Sequence, residues 1–240
     1  MNHNTRQTQT FIGAMVLAAI TSTVYAASGS HPLHPWYALA LMALAAATSR
    51  MKVKLPGIEG NMSVNLPFLL MAVVNLSAVE AVLIACVSTA VQGWPHSGKK
   101  FKPEQMLFNV SMLAFAASAA SLIWNARWLT HAGRESLPFT LSAATAVFFL
   151  GQTVPVAGII NLTQSEPMLR VWGDIVKLSF PYYVVSLGVT LIFTMLSEQF
   201  GWQAAIVVFP VMYGIYESYK LYFGRVAQAL HITPLVKASG

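Results

Sequence analysis

Of 240 residues, 56% are apolar and only 9% are charged, with a mean hydropathy of +0.60. A soluble domain carries about 25% charged residues, so a soluble globular enzyme is excluded for want of polar surface, and a disordered chain for its excess of apolar residues. Fourteen Lys and Arg against eight Asp and Glu give a net charge of +6, but the basic residues lie in short segments between apolar runs, the pattern of cytoplasmic loops and not of nucleic-acid binding.

Residues 1–10 are polar and read as a cytoplasmic N-terminus. The first apolar run, Phe11 to Ala27, ends in Val24-Tyr25-Ala26, which resembles a signal-peptidase site. With Arg6 as the only charge before it, the run is expected to be retained. The second and third runs, Trp36 to Thr48 and Leu66 to Val74, fall short of the ~17–25 residues of a spanning helix. They suit helices that stop part-way among protein neighbours. Between them, Arg50-Met51-Lys52-Val53-Lys54 alternates basic and apolar residues and predicts a hairpin or loop beside anionic headgroups.

The stretch from Leu66 to Trp94 decides the topology. Ser77-Ala78-Val79-Glu80 is an S-x-x-E capping box, which predicts a helix break at Asn75-Leu76-Ser77 and a fourth run from Ala78 to Trp94. Glu80 is therefore expected to be structural, and Glu80→Gln to leave folding almost unchanged. Four runs follow: Glu104 to Trp124, Leu137 to Ile160, Pro181 to Leu196, and Trp202 to Phe223. Pro67, Pro103, Pro138 and Pro181 lie near first turns, where a missing N–H costs nothing. Pro155 and Pro210 lie inside runs and should kink them. Met168 to Lys177 reads as a short amphipathic helix on the membrane surface, with Val171, Trp172 and Ile175 on one face and Arg170, Asp174 and Lys177 on the other.

Charge gives an independent count. With eight spans and the N-terminus inside, 12 of the 14 basic residues are cytoplasmic and only Arg127 and Arg134 are outside. Merging the third and fourth runs gives 6 inside and 8 outside, so the excess of basic residues in cytoplasmic loops prefers eight. The expected fold is thus an all-α polytopic bundle with both termini cytoplasmic. The membrane domain covers 11–225 and a short tail covers 226–240.

No nucleophile, phosphate or dinucleotide motif occurs, and no enzyme activity or cofactor is expected. His31 and His34 form H-x-x-H without further ligands nearby, so no metal site is expected. Neutral polar residues inside the runs are more informative, because in hydrocarbon they must face other helices or a cavity. Asn109, Gln152, Tyr182 and Tyr183 fall at similar depth on the fifth, sixth and seventh runs and are the candidate ligand-binding residues. Direct bonds between helices are the alternative use of the same groups.

One resemblance is carried by Arg50 to Pro56, the broken pair Asn65 to Trp94, Leu107-Phe108-Asn109, Pro181-Tyr182-Tyr183, Gly201-Trp202, Pro210, and Ser218-Tyr219-Lys220-Leu221-Tyr222. From Trp36 to Arg225 the chain resembles the N-terminal membrane module of bacterial cyclic-di-GMP signalling proteins of the HD-GYP and GGDEF type. The resemblance implies an inner-membrane sensory module whose last helix leads to a cytoplasmic output. No HD pair, GYP or GGDEF sequence is present up to Gly240, so the expectation is a stand-alone module that binds a small ligand and signals through a cytoplasmic or membrane partner. A small-solute transporter or solute-binding subunit is the alternative, motivated by the broken helix at 75–77.

Overall fold

The computed structural model describes residues 3–29, 32–54, 61–95, 101–126 and 137–237. Each of the eight apolar runs is a helix: α1 (His3–Ala27), α2 (Pro35–Ser49), α3 (Leu66–Asn75), α4 (Ala78–Gly93), α5 (Pro103–Trp124), α6 (Leu137–Gln164), α7 (Met168–Phe200) and α8 (Ala204–Lys237). Four of them, α1, α5, α6 and α7, are long and apolar enough to cross a membrane by length and composition. Their outward faces carry exposed apolar side chains such as Leu17, Phe139 and Ile192, a surface that lipid can cover and water cannot.

The only strands among the described residues are β1 (Lys52–Lys54) and β2 (Asn61–Ser63), an antiparallel hairpin with Val53 opposite Met62. This is where the alternating basic segment predicts a hairpin or loop. It makes the fold helical with one small β element.

Helix directions follow from pairs of contacts. Gln9 donates to Glu104 at 3.3 Å, Phe11 meets Phe108 with ring centroids 6.1 Å apart, and Ser22 bonds Ser118 at 2.7 Å. The nearly constant offset means that α1 and α5 run parallel and in register. Helices α2 and α4 are also parallel. At one end the His34 backbone N–H, on the residue before α2, donates to Glu80 of α4 at 2.8 Å. At the other, Lys52 Nζ donates to the Gln92 carbonyl at 2.5 Å, placing a cation on the negative end of α4.

Helix α3 is the centre of the molecule. Every residue from Leu66 to Val73 is buried, and it packs against α2, α4, α5 and α7. A helix start inside the bundle must still satisfy its first N–H groups. Pro67 has none to satisfy, the Asn65 carbonyl accepts from Phe68 and Leu69, and the Tyr182 hydroxyl accepts from Leu66 at 3.1 Å.

The capping box at the start of α4 is complete. Ser77 Oγ accepts from the Glu80 backbone N–H, and Glu80 accepts from the Ser77 N–H at 3.0 Å. Met168 to Lys177 corrects the sequence expectation. It is no separate surface helix but the first turns of the 33-residue α7, and Pro181 lies inside that helix instead of at its start. The reason is packing: Trp172 Nε1 donates to Thr153 on α6 at 3.2 Å, and Ile175 and Ser179 are buried on the same side. The polar face matches expectation, with Lys177 and Asp174 forming an exposed ion pair at 3.8 Å.

Candidate functional site

The α6–α7 hairpin positions the site. Asn161 Nδ2 bonds the Glu166 carbonyl at 2.6 Å across the turn, and Ser165 takes φ 58° there, a left-handed conformation that closes the α6 end. Above this turn the two helices present aromatic faces to each other. Phe149 packs edge-on against Tyr183 at 4.7 Å and meets Phe180 at 6.4 Å.

Tyr183 donates its hydroxyl to Gln152 Oε1, so two of the four candidate residues bond each other directly. Tyr182 adjoins them, with its ring 6.2 Å from that of Tyr183, but its hydroxyl turns to α3. The Tyr182 ring also meets Tyr219 of α8 edge-on at 6.1 Å. Successive residues on α7 therefore contact α6 on one side, and α3 and α8 on the other.

Asn109 stands apart. It is half-buried on α5. The level of Gln152 is set by Gly151, where an added Cβ would lie 3.1 Å from the Ala116 Cα. Asn109 is seven residues before Ala116, about 10 Å along the helix axis. The structure thus groups Gln152, Tyr182 and Tyr183 and sets Asn109 one level away.

Sequence reasoning missed Asn65, which lies beside the Leu66 N–H held by Tyr182. Its Oδ1 accepts from Ser63 Oγ at 2.8 Å, while its buried Nδ2 has no partner among the described residues. A signal was present in Pro67: a proline in a first turn inside an apolar run marks a buried helix start, whose preceding polar residue is then buried as well. No charged side chain takes part in these bonds, and the described residues hold no group of three or more His, Cys, Asp or Glu suited to a metal ion. The chemistry on offer is hydrogen bonding by amides and phenols against an aromatic wall.

The MASE9 family model matches residues 37–222. No curated protein and no solved structure matches the chain. The matched region runs from α2 into α8 and covers most of the chain, which therefore belongs to the MASE9 family, one of the membrane-associated sensor families.

Proposed function

We propose that this MASE9 chain is a non-catalytic sensory module of the bacterial inner membrane that binds a small ligand in its bundle and signals to a cyclic-di-GMP partner through α8. The family match across 37–222 carries this reading. The resemblance to cyclic-di-GMP proteins supplies the class of output. The ligand belongs around Gln152, Tyr183, Tyr182 and Asn65. These groups are neutral, and an ion buried there without a counter-charge would be strongly disfavoured, so the ligand is a small neutral polar molecule.

Transmission follows the two tyrosines. A ligand that takes the Gln152 amide displaces the Tyr183 hydroxyl. Tyr182, fixed to the next residue, then shifts against Tyr219. Helix α8 spans 34 residues, about 51 Å at ~1.5 Å per residue, against ~30 Å of hydrocarbon. Its far end thus extends beyond the membrane.

Eight crossings with both termini cytoplasmic form part of the same reading. The parallel course of α1 and α5 supports it, because parallel directions require an even number of reversals between them. Counting α3 and α4 as separate passes supplies four, whereas merging them supplies three. The 12-to-2 distribution of basic residues supports the same orientation.

The test is cellular. Removing the protein from its host should change the level of cyclic-di-GMP. Restoring wild-type protein should reverse the change, and restoring Gln152→Leu at equal membrane abundance should not. A cyclic-di-GMP level that does not respond to removal overturns the proposal.

A further inference from the structure

A groove of about 640 Å³ lies between the beginning of α1 and the end of α6, lined by Arg6, Gln7, Thr10, Phe11, Ala14 and Leu162. Its two halves differ in chemistry. Arg6, Gln7 and Thr10 belong to the polar first turns of α1, and Phe11 and Ala14 to the apolar run that follows. On α6 the same change of character falls between Leu162 and Thr163-Gln164. The groove therefore straddles the level at which headgroups give way to acyl chains, whichever leaflet it faces.

Its shape comes from a close helix approach. An added Cβ on Gly158 would lie 3.0 Å from the tip of the Phe11 ring, so this glycine lets Phe11 come close to α6. The Phe11 ring also packs on Phe108, which fixes the groove's apolar wall. The Thr10 hydroxyl is committed to the Arg6 carbonyl at 2.9 Å. Arg6 and Gln7 thus remain as the donors of the polar half. Among the described residues, no carboxylate lines the groove.

We propose that this groove binds an anionic phospholipid, with Arg6 and Gln7 holding the headgroup phosphate and the first acyl segment lying along Phe11, Ala14 and Leu162. A guanidinium donates paired hydrogen bonds that match phosphate oxygens, and basic recesses between membrane helices on the cytoplasmic side select anionic headgroups. A water-soluble phosphate compound would use only the polar half.

The full chain, purified in detergent, is titrated with phosphatidylglycerol, with phosphatidylcholine of the same acyl chains, and with glycerol 3-phosphate, and bound molecules are counted by native mass spectrometry. Phosphatidylglycerol should be retained about fivefold better than phosphatidylcholine, and Arg6→Gln should remove about that factor. Ala14→Trp, which fills the apolar half and leaves Arg6 in place, should also lower retention. Equal binding of the two lipids, or no loss in Arg6→Gln, overturns the proposal. Glycerol 3-phosphate binding as well as phosphatidylglycerol overturns it in favour of a soluble phosphate ligand.

Discussion

Glu80 shows what one side chain does at two helix starts. Its Oε2 accepts from the Ser77 N–H and from Ser77 Oγ at 2.7 Å, and its Oε1 accepts from the His34 N–H. Both acceptors sit where helix dipoles favour negative charge. The sequence reading saw only the first of these roles and expected Glu80→Gln to be harmless. The geometry changes that expectation, because a glutamine has one acceptor oxygen and must turn an NH2 toward one of the two sides. Glu80→Gln should cost about 2 kcal/mol, as for a buried donor left without its acceptor. Ser77→Ala should cost about 1 kcal/mol. Thermal unfolding in detergent measures both, and a glutamine variant as stable as wild type would show that the His34 contact adds nothing. The capping box was legible because its parts are three residues apart. The His34 bond was not, because no local pattern links positions 34 and 80.

At the level of elements, apolar runs and prolines placed all eight helices. What they missed was continuity. Trp172 and Ile175 have the spacing of a surface helix, and only the bond from Trp172 to α6 and the burial of Ile175 show that this face is covered by protein. The candidate site divides the same way. Gln152 and Tyr183 were recognisable as polar groups that hydrocarbon cannot satisfy. That Tyr182 serves α3 depends on a pairing 116 residues apart. Two glycines test the helix contacts. At Gly151 an added Cβ meets the backbone and Cβ of Ala116, whereas at Gly158 it meets only the tip of the Phe11 ring. Gly151→Leu should therefore destabilise the α5–α6 contact by about 1–3 kcal/mol or more. Gly158→Ala should be tolerated, since a side chain can move where a backbone cannot. Comparing the two unfolding midpoints decides the matter, and equal loss in both would refute the assigned close contact.

For the whole molecule, the orientation is open to direct labelling. Lys99 and Arg134 lie outside the described residues, and the proposed topology has them on opposite sides of the membrane. The chain's one cysteine, Cys86, is replaced by alanine, and single cysteines are introduced at 99 and 134. In intact cells an impermeant thiol reagent should modify Arg134→Cys and leave Lys99→Cys unmodified until the membrane is opened. The reverse pattern would overturn the proposed topology. The basic residues carry this expectation in the sequence; the parallel pairing of α1 with α5 had no local signal, since it joins segments about 95 residues apart.

The enclosure of α3 has a consequence for how the protein is made. Ten residues give about 15 Å of helix, half of the hydrocarbon depth, too little for this segment to settle in lipid on its own. Three of its packing partners, α4, α5 and α7, leave the ribosome after it does. The Tyr182 hydroxyl that receives its first N–H is 116 residues downstream. A nascent chain halted before α5 therefore lacks the walls that keep α3 in place. The enclosure of the central helix is thus complete only once α7 has been synthesised, more than a hundred residues after α3 itself.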